Sequence, residues 1–130
     1  MKMTTGLLVF SVLFLSSLGT TNAAEHHVEA TLVATSDSGV TGHVQLVQLP
    51  HGGTNVHVVA HGLTPGNQYT SFYYDNATCT SGPDSVGTFT ADKAGVGQTH
   101  AKIDDDLDEV GSVSVRTPDY QTIFACAAVH

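Results

Sequence analysis

Tryptophan is absent from the 130 residues, and lysine and arginine together number only 4. A nucleic-acid binder needs a basic surface to neutralise phosphates. With 12 acidic residues and a formal charge of −8, this chain is excluded from that class, and it suits an acidic membrane face no better. There are two cysteines, Cys79 and Cys126, with no CxxC spacing, which argues against a thiolate metal site. No nucleophile–base pair, paired-acid motif or phosphate-cradling glycine loop stands out. Long helical patterns, low-complexity segments, internal repeats and linkers are also missing.

One apolar run is conspicuous. Gly6 to Leu18 (GLLVFSVLFLSSL) follows Lys2 and precedes the small residues Thr21-Asn22-Ala23. It is shorter than the roughly 20 residues that a membrane span needs. The pattern reads as a secretory signal peptide, residues 1–23, cleaved after Ala23, with an uncleaved anchor as the alternative. The mature chain, residues 24–130, is then expected to be exported, periplasmic or secreted, without a membrane span. Losing Lys2 takes its formal charge from −8 to −9. Its length suits one domain with a modest core. In an oxidising compartment Cys79 and Cys126 are expected to pair as one disulfide, two free thiols being the alternative.

From His27 onward the chain consists of short β-like runs between turn residues. They are 28–35, 40–49, 55–63, 69–75, 86–91, 98–103, 110–116 and 121–129. Gly, Pro, Asn and Asp punctuate them, as at Ser36-Asp37-Ser38-Gly39 and Pro50-His51-Gly52-Gly53. The expected fold is all-β, an antiparallel sandwich or barrel of about eight strands.

Three stretches then carry a resemblance. The first is Gly62-Leu63-Thr64-x-Gly66. The second is Val86-Gly87-Thr88-Phe89-Thr90-Ala91-Asp92-Lys93-Ala94-Gly95-Val96. The third pairs Asp75-Asn76-Ala77-Thr78-Cys79 with Phe124-Ala125-Cys126-Ala127-Ala128-Val129. In order and spacing the mature chain resembles the Cu,Zn superoxide dismutases. The resemblance implies an eight-stranded Greek-key β-sandwich, with one disulfide tying a loop to the last strand. It also implies where that family's metal chemistry should stand, and there the chain departs from it. Counted from Gly66, the two copper histidines of the first metal strand fall on Ser71 and Tyr73. The long zinc loop is deleted, and its aspartate falls near Ser85. The last copper histidine falls near Val115, Arg116 or Thr117. The anion-guiding arginine falls on Ile123. Serine, phenol and aliphatic groups do not replace imidazoles around a redox copper, and a fold does not carry its function along.

Other groups could carry new chemistry. Cleavage after Ala23 leaves Ala24-Glu25-His26-His27, whose free amine, two amides and third-place histidine suit square-planar Cu(II) or Ni(II). A frayed polar terminus is the plain alternative. Eight histidines are present. Alternation puts His43 with Gln45, and His57 with His61, on the outer face of a meander formed by the first three strands. A pair such as His43 with His57 or His61 could hold copper or zinc weakly; polar side chains on a solvated face are the alternative. The acidic run Asp104-Asp105-Asp106-Leu107-Asp108-Glu109 offers hard oxygen donors for Ca²⁺, but it reads more simply as a charged loop. Among the aromatics of 69–74, alternation places Phe72 in the core, opposite Ser71 and Tyr73. Asn76-Ala77-Thr78 is a glycosylation sequon. The expected role is an exported, non-enzymatic binding or structural protein with Cu(II) affinity at its terminus and surface histidines. The alternatives are a copper dismutase with relocated ligands and a metal-free module that binds a protein partner through edge strands.

Overall fold

The computed structural model describes residues 26–130. The leader over 1–23 and the amino terminus expected at Ala24-Glu25 lie outside the described residues. Eight strands follow one another: β1 His27–Ala34, β2 Thr41–Gln48, β3 Thr54–His61, β4 Gln68–Tyr74, β5 Asp84–Thr90, β6 Gly97–Ile103, β7 Ser112–Arg116 and β8 Ile123–Ala128. Each stretch read as β from the sequence overlaps one of them, with ends that differ by a few residues. One element was not legible, a 3₁₀ turn at Leu107–Glu109 inside the acidic run.

All pairings are antiparallel, and the lateral order is β5-β4-β7-β8-β1-β2-β3-β6. The chain crosses over twice, from β3 to β4 and from β6 to β7, which makes the arrangement a Greek key. Two four-stranded sheets result, β1-β2-β3-β6 and β5-β4-β7-β8. They are joined where Val33 and Ala34 of β1 pair with Cys126 and Ala125 of β8. At the far seam β5 lies against β6, so the ring is nearly closed. Glycine makes that seam tight: a side chain on Gly97 would strike the Phe89 ring, and one on Gly87 would strike Thr99.

Alternation explains the core. Ala30 and Leu32 of β1, Val44 and Leu46 of β2, and Val56, Val58 and Ala60 of β3 all point inward and are buried. They meet Val113, Val115, Ala125 and Ala127 from the opposite sheet. Each fully buried Val or Leu side chain is worth roughly 1.5–3 kcal/mol of transfer free energy. The odd-numbered residues of β2 and β3, including His43, His57 and His61, face outward.

The Cys79–Cys126 disulfide ties the loop after β4 to β8, with its Cα atoms 6.2 Å apart. That loop is organised around Asn76. Its Oδ1 accepts from the Thr78 and Thr80 amides at 3.1 and 3.2 Å, and its Nδ2 donates to the Ser81 carbonyl at 3.0 Å. The sequon asparagine therefore shapes the segment that carries Cys79.

Candidate functional site

The sequence resemblance directs a metal toward the Ser71–Tyr73 face of β4. Here the structure reverses the alternation read from the sequence. Tyr69, Ser71 and Tyr73 point into the core beside Val113 and Val115. Ser71 is fully buried, and its hydroxyl donates to the Ser114 carbonyl at 2.9 Å. Phe72, expected inside, is half-buried on the outer face. The cause is that β4 is covered on both sides, so hydropathy could not distinguish them. A one-residue error in parity exchanges every side chain between faces.

What covers the outer side is a second layer between the sheet and the disulfide loop. Tyr74 is buried, and its Oη lies 2.8 Å from Ser114 Oγ. Arg116, the last residue of β7, is the centre of the layer. Its Nε donates to Tyr74 Oη at 2.9 Å, Nη1 to the Tyr120 carbonyl at 3.2 Å, and Nη2 to the Cys79 carbonyl at 2.9 Å. The guanidinium stacks on the Tyr120 ring, 3.9 Å from its centroid, and Phe72 meets that ring edge-on at 5.1 Å. Ser112 Oγ accepts the Cys79 amide at 3.0 Å and donates to the Asn76 carbonyl at 2.6 Å. Burial pushes the Tyr74 phenol above its ordinary range, although its Ser114 and Arg116 bonds pull the other way. These groups are hydroxyls, phenols and a guanidinium that does not deprotonate, so they do not form a copper ligand set. The layer locks the disulfide loop onto the sheet. In the sequence Arg116 is only one of three places where the resemblance sets a copper histidine; its role as a clasp depends on the fold of the disulfide loop.

The acidic run also has a structural task. Asp106 Oδ1 accepts from the Gly53 amide at 2.8 Å and from Gln48 Nε2 at 3.1 Å. Glu109 reaches back to the Asp106 amide at 2.8 Å, closing a capping box on the 3₁₀ turn. Among the described residues Asp106, Asp108 and Glu109 gather within 4.8 Å, all exposed. Asp106 is already engaged in holding the β6–β7 connection to the β2–β3 hairpin, and Glu109 in capping the turn within that connection. The Gly53 and Gln48 bonds hold the Asp106 carboxyl below its usual range. Burial, followed by the charges of Glu109, Asp84 and Asp104, raises Asp105. Tyr73, whose ring ends near this cluster, is pushed up to about 12, first by burial and then by Asp105, Asp84 and Asp104.

An acid-pH prediction follows from Asp106. Its folded-state pKa is depressed, so its contribution is present above the ordinary carboxylate range and is lost as pH falls through the folded value. Hydrogen-exchange protection of the Gly53 amide should therefore drop on acidification below about pH 4, where carboxylates take up protons. Asp106→Ala should show the low protection already at neutral pH. A Gly53 amide equally protected in that variant would dismiss the latch.

Seven of the eight histidines fall into two groups, and His51 stands apart in the turn between β2 and β3. On the β1-β2-β3-β6 sheet, register sets Glu29 opposite Gln45, Gln45 opposite His57, and His57 opposite His100, in one row across the outer face. The His57 and His100 ring centroids are 5.5 Å apart, tilted by 55°. His43 stands opposite Val59, so it meets His57 and His61 only diagonally; His61 stands opposite Thr41. His100 was absent from the pairs read off the sequence. QTHAKI already put it on the outer face, but a Greek key sets β3 beside β6, and no short turn announces that neighbour. The second group, His26, His27 and His130, lines an open groove of about 690 Å³ together with Asp106 and Asp108. His130 Nε2 lies 3.2 Å from the Leu107 carbonyl.

No helix among the described residues is long and apolar enough to cross a membrane. No protein-family model matches the chain, and no curated protein matches it either.

Proposed function

We propose that this is an exported, non-enzymatic metal-binding protein, a divergent relative of the Cu,Zn superoxide dismutases that keeps their sandwich and has given up their metal centre. Three features support the kinship: the order of the three sequence stretches, the Greek-key ring and the bridge from loop to last strand. The observation that carries the functional reading is the Phe72–Tyr74–Arg116–Tyr120 layer. It fills the outer face of β4, while Ser71 and Tyr73, the positions counted for the family's copper histidines, turn into the core, so neither face of that strand offers an imidazole. Dismutation requires a metal that cycles between oxidation states and a positive field to draw in the anion. Here the counted positions Ser71 and Tyr73 are turned into the core, a packed clasp fills the other face of the strand, and the chain as a whole is acidic.

Copper affinity moves to the outside of the molecule. The mature terminus supplies an amine, two amides and His26 in the pattern that takes square-planar Cu(II), and the sheet face supplies exterior imidazoles. Export is supported by the leader-like first 23 residues and by the disulfide.

The test starts from correctly processed protein, with its amino terminus verified by mass spectrometry. Cu(II) titration should give the visible absorption of a four-nitrogen planar site, lost in the His26→Ala/His27→Ala variant. The copper-loaded chain should dismute superoxide no faster than the same copper on a model peptide. Fast dismutation that survives loss of His26 and His27 would establish the relocated-ligand enzyme instead. Absence of any copper binding would leave a metal-free interaction module.

A further inference from the structure

We infer that His57 and His100 form a two-imidazole site for a late first-row divalent ion, with Zn(II) as the diagnostic occupant. The inference deepens the metal-binding reading by locating the exterior imidazoles that matter, and it rests on that reading only in placing the metal outside the family position.

The geometry comes from the register. β3 and β6 are antiparallel, and His57 and His100 are direct Cα partners. Direct partners hold their Cβ atoms about 4.5–5.5 Å apart, whereas diagonal neighbours such as His43 and His57 stand about 7–8 Å apart. Two imidazoles bound at about 2.0–2.1 Å to one tetrahedral ion bring their ring centroids to roughly 5 Å of each other. The centroids of His57 and His100 are already 5.5 Å apart, with the rings tilted rather than stacked. His57 is half-buried and His100 exposed, so closing the chelate needs side-chain rotation alone.

The surroundings favour the same use. Gln98, two residues before His100 on the same face, places its amide oxygen 2.9 Å from His57 Nε2. With that oxygen as acceptor, the ring carries its proton on Nε2 and leaves Nδ1 free of one. Ligating histidines commonly fix their tautomer through such an outer partner. Along the row, Gln45 Nε2 donates to Glu29 Oε2 at 2.7 Å, which anchors a carboxylate at the far end of the imidazoles' own line. Lys102, the cation on the same face of β6, leans toward Asp104 at 4.0 Å. A chain of charge −8 also concentrates cations near its surface. Two protein ligands leave the remaining positions to water, so the site is exchangeable and not a structural staple.

Zn(II) separates this site from the terminus, because the planar amine–amide set requires a metal that displaces amide protons, as Cu(II) and Ni(II) do. In the full mature chain, calorimetric titration with Zn(II) should show one ion bound in the micromolar range. His57→Asn and His100→Asn should each weaken binding at least about tenfold. The double variant should bind no more weakly than either single one, since one lost ligand already breaks the chelate. His61→Asn, on the same strand and face, should leave the affinity unchanged. Ring resonances of His57 and His100 should shift together on titration. These positions face solvent, so metal-free melting curves should coincide with that of the parent chain. Unchanged Zn(II) affinity in His57→Asn, or ring shifts confined to other histidines, overturns the inference. If Cu(II) gives the planar spectrum while Zn(II) is not bound, the pair is refuted and the copper reading stands. If Zn(II) binds at the pair while the terminus takes no Cu(II), the pair stands and the copper reading fails.

Discussion

Removing both cysteines, as Cys79→Ala/Cys126→Ala, should lower the stability of the folded domain by about 4 kcal/mol in the chain-entropy account of a cross-link. The bridge spans a sequence separation of 47, so its loss returns a long loop to the unfolded ensemble. In a domain of this size 1 kcal/mol corresponds to roughly 4–8 °C, so the melting midpoint should fall by some tens of degrees. Cys79 is fully buried and stands at a positive φ of 58°, held by its amide bond to Ser112 and its carbonyl bond from Arg116. Once the covalent tie is gone, those two bonds alone keep it in that conformation. Urea unfolding of the variant beside the oxidised and the reduced parent chain is the measurement. The reduced parent should follow the variant. A loss below about 1 kcal/mol would mean that the loop is held by its hydrogen bonds and that the bridge is incidental.

Arg116→Met should cost about 2–4 kcal/mol, a large effect for the last residue of a strand. Its guanidinium serves Tyr74 Oη, the Tyr120 carbonyl and the Cys79 carbonyl at once while stacking on the Tyr120 ring. None of these acceptors is a carboxylate, so the residue acts through fork geometry and not through a salt bridge. Arg116→Lys should recover little, because one ammonium cannot address three acceptors disposed around a plane. The effect should also be non-additive with loss of the disulfide, with a coupling of about 1 kcal/mol or more, because both devices secure Cys79. Full rescue by lysine, or strict additivity in a double-mutant cycle, would remove the clasp from the account.

How much of this could be read beforehand depended on whether neighbours in space were neighbours in sequence. β1, β2 and β3 form a meander through short turns, so the outward placement of His43, His57 and His61 followed from alternation alone. β4 gave the opposite result. Its residues from Tyr69 to Tyr74 are buried or half-buried whichever way they point, and apolar pattern carries no parity information when both faces are covered. The acidic run was recognised as a charged loop, but its latch depends on Gly53 and Gln48, more than fifty residues away. Likewise the lack of histidine at the positions that the resemblance assigns to copper was legible in the sequence, whereas the clasp around Arg116 was not.

By itself the sequence determined that the chain is all-β, that a single pair of cysteines was available to join, and that the positions which the resemblance assigns to copper ligands hold no imidazole. These are local matters of period, count and ligand chemistry. Only the tertiary structure decided that His57 faces His100, that Phe72 lies outside and Tyr73 inside, and that Arg116 reaches Cys79. Each of those depends on which strands a Greek-key crossover sets side by side, and strand pairing is selected by burial of the whole core.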